Sequence, residues 1–230
     1  MSCNDNTPSQ YSEVNVKDPS YLDTWFYAFS SISKTEFWKY KYLDSKETFK
    51  EITDINEAKL YIKDRVVFGE WNNEIDDYLS TDSSYLVLEI RPNGLKRIDL
   101  LNKDNYNPII FESYFPELDI ILGEGGHTTD QSYNLKTGEG TEHTGNPRLW
   151  KTSQSGQSRL IGYYGGQECD VMHVQKKTDY GYKNILTIDF DDLCNSFNMY
   201  WRNDSTLYAS KWSNSQSDTT YHKFTISRRH

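Results

Sequence analysis

The chain has 230 residues, a formal charge of -9 at pH 7, 26% charged residues and 15% aromatic residues. That many rings exclude a disordered chain, since disordered segments are poor in them, and a pI near 5.1 excludes a dedicated nucleic-acid surface, whose footprint is basic. No apolar run approaches the ~18–20 residues that span a bilayer, and the opening MSCNDNTPSQYSEV lacks a hydrophobic signal core, so neither membrane insertion nor secretion is expected.

Tyrosine dominates the composition, with 18 copies against alanine only at Ala28, Ala58 and Ala209. A phenol packs like a hydrophobe yet keeps one hydrogen-bonding oxygen that titrates near ~10 in water. Of the 25 Lys and Arg, 17 are lysines. Near pH ~11.5 most lysines have lost their charge and most phenols have gained one, leaving a net charge on the order of -40. A dense assembly of such chains repels itself in alkali. Cys3, Cys169 and Cys194 are odd in number, widely spaced and without a C-x-x-C pair, the pattern of reduced thiols in a cytosolic setting.

In chain order, residues 1–20 are polar and broken by Pro8 and Pro19, and read as an N-terminal arm ahead of a single domain over 21–230. Trp25-Phe26-Tyr27-Ala28-Phe29 is an aromatic run of the kind that forms a buried strand. From Ser45 to Arg65 the apolar residues take helical spacing, with Ser45, Thr48 and Thr53 as caps, which predicts two short helices or one broken helix. Tyr85 to Ile90 is a strand that stops at Arg91-Pro92-Asn93-Gly94 and returns through Leu95 to Leu101 as a hairpin. Ile109-Ile110-Phe111 and Leu118 to Leu122 add apolar runs, bounded by Pro108 and Pro116. Gly123 to Gly156 is rich in glycine, Thr, Ser and Asn and reads as a long loop. Strands follow at Leu160 to Tyr164, Val171 to Gln175 and Ile185 to Ile188. Asp189 then caps a predicted helix carrying Asp191 and Asp192 in its first turn and Leu193, Phe197 and Trp201 on its apolar stripe. The tail alternates through Tyr208, Trp212 and Phe224.

The sequence carries little recognisable catalytic chemistry. No window matches a Walker loop, a dinucleotide fingerprint, a nucleophile elbow or a zinc helix. The Ser153-Gln154-Ser155-Gly156-Gln157-Ser158 stretch has no base identifiable beside it and reads as loop. Asp170 and His173, with Glu168 nearby, fall on opposite faces of an alternating strand, which disfavours a shared metal. His127 and His143 read as solvated loop residues, and Asp76-Asp77 and Asp191-Asp192 as solvated charge. Neither a catalytic residue nor a metal is predicted. The tyrosines at 40, 42, 163, 164, 180, 182, 200, 208 and 221 remain as candidate assembly and pH-sensing residues: Tyr40, Tyr42, Tyr163, Tyr164, Tyr180, Tyr182, Tyr200, Tyr208 and Tyr221 pair apolar area with a polar handle that suits interfaces.

Several segments, taken together, resemble the cypovirus polyhedrins, occlusion-body proteins that crystallise around virus particles in insect cells. They are Trp25-Phe-Tyr-Ala-Phe29, Glu47-Thr48-Phe49-Lys50 opening a helix, the Glu89-Ile-Arg-Pro92 strand end, Ile161-Gly162-Tyr163, and a late helix ending Tyr200-Trp201. They span most of residues 25–205, and the likeness is one of order and character. The resemblance implies an α+β, mainly β fold: a jelly-roll-like β-sandwich flanked by several helices, with an N-terminal arm. It further implies homotrimers in a crystal lattice, location in host cytoplasm with virus particles as partners, no enzymatic activity, and dissolution in alkali. Some polyhedrins resemble nucleotide binders, but no residues here map onto such a site. Two other readings stay open. One is a carbohydrate- or protein-binding sandwich with Trp71, Trp150 and Trp212 as platforms. The other is a small transferase-type toxin using Glu139 or Glu142.

Overall fold

The computed structural model describes residues 24–40, 47–72, 77–80, 86–93, 97–100, 109–166, 170–188, 196–212 and 219–228. The N-terminal arm, Tyr42, Glu168, the three cysteines, Asp76 and the Asp191-Asp192 pair lie outside them, as do the side chains of Trp71 and Trp212. The protein is mainly β, with several antiparallel sheets and few helices, as the α+β class requires. The chain divides into two compact units, one of residues 1–46, 151–159 and 173–230, the other of 47–150 and 160–172.

In the first unit, β1 (Trp25–Ser31), β15 (Thr219–Arg228), β14 (Thr206–Trp212) and β13 (Ser196–Asn203) form one antiparallel sheet in that order. β12 (Gly181–Ile188), β11 (Val171–Thr178), β10 (Ser158–Tyr163) and β9 (Lys151–Thr152) form another, and β10 and β11 run on into the second unit. Alternation sorts the first sheet's side chains. Trp201, Leu207, Phe224 and Phe29 lie in one register row, with Tyr200 and Tyr208 on the opposite face. Buried Trp201 donates its indole N–H to the Lys151 carbonyl at 2.7 Å, tying β13 to β9. The short helix α1 (Lys34–Lys39), capped by Ser33, covers the Tyr200 and Tyr208 face with Phe37, which is fully buried.

β1 forms as expected, but as an edge strand on which only Tyr27 is fully buried. The predicted helix after Asp189 is corrected: residues 196–203 are β13. A four-residue repeat through Leu193, Phe197 and Trp201 keeps one face of a helix but is also a multiple of the strand period of two. Pairing with β14 along the Met199-Tyr200-Trp201 stretch decided between them.

The second unit is a sheet in the order β3 (Asp77–Ser80), β2 (Val66–Asn72), β4 (Leu86–Ile90), β6 (Ile109–Phe115), β7 (Ile120–Glu124), β8 (Asp130–Asn134), with β5 (Ile98–Asp99) also pairing with β4. The β4–β5 pairing is the predicted hairpin. One core cluster packs α2 (Ile55–Ile62), through Ala58 and Ile62, on Val66, Phe68, Val87, Ile109, Phe111 and Ile121. A second gathers Phe115, Ile120, Leu122, Trp150 and Ile161.

The predicted helix opening at Glu47-Thr48-Phe49-Lys50 is corrected as well. Residues 47–54 form no helix, and Ile52 makes an isolated antiparallel bridge to Tyr114 through two 2.9 Å backbone bonds. Asp54, next to the predicted Thr53, is the cap, its carboxylate accepting from the Glu57 amide at 2.8 Å. The supposed long loop at 123–156 carries β8, the single-turn helix α3 (Thr141–Thr144) and β9. Its polar residues do the folding: the Asn134 carboxamide takes the Lys136 and Thr137 amides, and the Asn146 carboxamide takes that of Arg148.

Backbone strain concentrates at one place in this segment, where His127 and Thr128 both hold positive φ (59° and 61°). Gly166, itself at φ +77°, closes over them, and a Cβ there would lie 2.3 Å from the His127 carbonyl oxygen. Gly166→Ala is therefore expected to cost at least about 1–2 kcal/mol, measurable as a lowered denaturation midpoint. A wild-type midpoint would show that the loop yields freely.

Candidate functional site

Among the described residues, each unit holds a centre built from a phenol, a carboxylate and a guanidinium. In the second unit Tyr114, buried on β6, donates to Asp119 Oδ1 at 2.7 Å, and Arg65 Nη1 donates to Asp119 Oδ2 at 2.6 Å. Asp119 sits in the β6–β7 turn at φ 56°, a conformation that Asp tolerates better than most residues. The Arg65 Nε also donates to the Ile62 carbonyl, so the end of α2 fixes the guanidinium. Burial first, then the bond to Asp119 and its charge, push the Tyr114 phenol up to about 12, against the opposing pull of Arg65.

The first unit's centre joins α1 to the sheet. Tyr208 donates to Glu36 Oε1 at 2.9 Å, and Arg202 donates to the Tyr208 hydroxyl at 3.3 Å and to the Tyr40 hydroxyl at 3.4 Å. The Arg202 guanidinium also lies 4.5 Å from the centre of the Tyr40 ring. Phe37 stands among these rings, 5.0 Å from Tyr200 and 4.9 Å from Tyr221. Burial, then Glu36, raise the Tyr208 phenol, and Arg202 opposes them. Ionised, Tyr208 would place a second negative charge beside Glu36 with one guanidinium between them. Tyr208→Phe keeps the ring and removes the hydroxyl. At neutral pH it should cost about 1–2 kcal/mol, and between neutral pH and strong alkali the variant should lose less stability than the wild type. Equal losses in denaturant titrations at both pH values would contradict this.

The structure thus gathers Tyr40, Tyr200, Tyr208 and Tyr221 into one cluster, with Tyr200 and Tyr208 buried within the chain's own fold. The other candidates are dispersed. Tyr163 donates to Glu142 at 2.7 Å, and Tyr182 donates to the Gly156 carbonyl at 2.6 Å with Arg159 stacked on its ring. Tyr164 is 43% exposed, and Tyr180 is fully exposed at 102%. Tyr114, the most strongly shifted phenol, was not among the sequence candidates. Its signal was weak: a lone tyrosine inside an apolar strand, whose partner Asp119 is fixed only by the turn.

The remaining candidates fall as follows. Trp150 is buried with its indole N–H on the Thr144 carbonyl at 3.0 Å, which removes it as a binding platform. Glu139 accepts from the Thr137 hydroxyl at 3.0 Å. His127 and His143 are exposed, and His173 meets the Thr187 hydroxyl at 2.9 Å. Burial and then Asp130 raise the Asp170 carboxyl, while Asp130 itself accepts from Asn146 and from the Tyr164 amide. Among the described residues no three His, Cys, Asp or Glu converge as metal ligands, and no helix is long and apolar enough to cross a membrane.

The serine stretch has a lysine beside it that the sequence spacing does not indicate. Lys176 on β11 donates to the Ser158 hydroxyl at 2.6 Å and to the Asp204 carbonyl at 2.5 Å, and burial lowers its ammonium pKa against the opposing charge of Asp204. Ser158 is wholly buried, however. The arrangement fastens turns: Asp204 also takes the Ser153 hydroxyl at 2.6 Å, and that of Ser155. Although burial pushes the Asp204 carboxyl up, the Ser153 and Ser155 hydroxyls and then Lys176 hold it below its ordinary value. Asp204→Ala is accordingly expected to cost about 1–3 kcal/mol by leaving the buried Ser153 hydroxyl without its acceptor, read as a fall in the urea midpoint. An unchanged midpoint would deny the fastening role.

No family model matches this chain, and no curated protein or solved structure matches it.

Proposed function

We propose that the chain is a structural, non-enzymatic protein that packs copies of itself, as trimers in a lattice, into micro-crystals around virus particles in host cytoplasm, and releases them in alkali. The observation that carries this reading is the division of the phenols. Tyr180 is fully exposed, and Tyr61 and Tyr164 are 44% and 43% exposed, whereas Tyr114 and Tyr208 are buried with raised pKa values. A phenol in water ionises near ~10, while Tyr114 holds its proton to about 12. Contacts built on surface phenols therefore gain negative charge in an interval of pH where the interior of the second unit is still neutral. Copies separate before they unfold.

The glycan- or protein-binding reading loses Trp150 as a platform. A nucleotide site, implied for some members of the family the chain resembles, has no residues assigned here. Expression of the full chain in insect cells, followed by light microscopy, tests the proposal. Refractile particles that persist at neutral pH and vanish as the pH is raised are the expected result. A clear soluble extract, or particles indifferent to alkali, would overturn it.

A further inference from the structure

The β11–β12 hairpin ends in an aromatic residue that its own chain does not use. Asp179 and Tyr180 form the tip, closed by Gly181 at φ +113° and by the Thr178 hydroxyl, which takes the Tyr180 amide and donates to the Gly181 carbonyl. The turn is thus defined by its own hydrogen bonds, and Tyr180 stands outside it, 102% exposed, the most exposed large apolar side chain among the described residues. Lys177 and Lys183, three residues to either side of Tyr180 in sequence, are exposed, so the tip segment carries more positive than negative charge on a chain whose net charge is -9. A ring carried on an ordered turn costs little backbone freedom when it docks, and a large ring with one polar end is the character of an interface anchor.

We propose that this tip docks on a second copy of the chain, at the acidic surface around Glu139; the inference deepens the assembly reading and rests on it. The complementarity is chemical on both counts. Between Thr128 and Pro147 the sequence carries Asp130, Glu139 and Glu142 against Lys136 as its sole lysine or arginine. Glu139 and Glu142 are exposed there beside the half-buried rings of Tyr133 and Tyr163. Gly140 packs beside the Tyr133 ring, where a Cβ would stand at an ordinary contact distance of 3.5 Å. Carboxylates set beside ring surface match a tip that presents lysines beside a ring. Tip and receiving surface are different parts of the chain, so each copy offers one of each, and the contact joins copies as a reciprocal pair, a closed ring or an open chain according to the rotation between them.

The test measures self-association of the purified full chain by sedimentation over a concentration series, alongside particle formation in cells. Tyr180→Ala, which disturbs no interior contact, should keep the wild-type melting temperature and weaken self-association about tenfold or more, the loss expected for an anchoring aromatic. Lys177→Glu with Lys183→Glu should weaken it similarly, and adding Glu139→Lys should restore part of the loss. Should the wild type form alkali-soluble particles while Tyr180→Ala assembles equally well, this contact is refuted and the assembly reading stands. A wild type that stays monomeric at every concentration and forms no particles refutes both.

Discussion

Phe37→Ala is expected to cost about 3–5 kcal/mol and to release α1 from its sheet. α1 has only six residues, far fewer than the ~12–15 at which an isolated helix becomes even marginally stable in water. Its Ser33 cap adds about 1 kcal/mol. What keeps it helical is the burial of Phe37 among Tyr200, Tyr208, Tyr221 and Trp38, with ring centres 4.9 to 6.5 Å away. Removing the ring leaves a cavity bordered by the Tyr208 and Glu36 pair, so the hydrogen bond between them should weaken too. Denaturant unfolding gives the stability, and amide exchange over residues 34–39 gives the local effect. A loss below about 1 kcal/mol with protected amides would mean that the Glu36 bond, not the ring, holds the helix.

The second large effect is an alkaline loss assigned to one residue. Tyr114 has a folded-state pKa of about 12 against an ordinary value of 10.0. A phenol raised in this way contributes stability that is complete below the unfolded value and disappears as the pH climbs through the folded one. At about 1.4 kcal/mol per pK unit, the second unit should lose on the order of 2 kcal/mol between pH ~10 and ~12 through this group alone. Tyr114→Phe removes the titration. It should be less stable than wild type at pH 7, because Asp119 loses a donor, yet its stability should fall less steeply across that alkaline interval. Parallel curves for the two proteins above pH ~10 would show that Tyr114 does not carry the loss.

The strands were legible where their signal was local. The runs read as strands at Tyr85 to Ile90, Ile109 to Phe111 and Leu160 to Tyr164 each coincide with a strand, at Leu86–Ile90, Ile109–Phe115 and Ser158–Tyr163. Sequence pattern and structure part where a pattern fits two periods or where polar residues do structural work. Trp201 and Phe197, four apart, satisfy helix and strand alike, and only cross-strand pairing with β14 resolves them. The glycine-rich stretch at 123–156 looks like loop because its order comes from side-chain-to-backbone bonds, such as those of Asn134 and Asn146, which composition does not reveal. The site was legible by residue type but not by placement. Tyr208 and Glu36 are 172 residues apart in sequence, and Arg65 and Asp119 are 54 apart, so no spacing rule joins them. The hydroxyl-bearing rings also divide between core and surface, where a reading by composition treats them alike.

The proposed cohesion between copies depends on phenols that stay neutral until the pH rises. The direct measurement follows particles of the full chain through a rising pH series, recording turbidity and the ultraviolet absorbance of phenolate in the same cuvette. Turbidity should fall in step with the first rise of phenolate absorbance, near pH ~10 and before the loss of native circular dichroism near ~12. Particles that clear before any phenolate appears, or that remain intact until the protein unfolds, would contradict it.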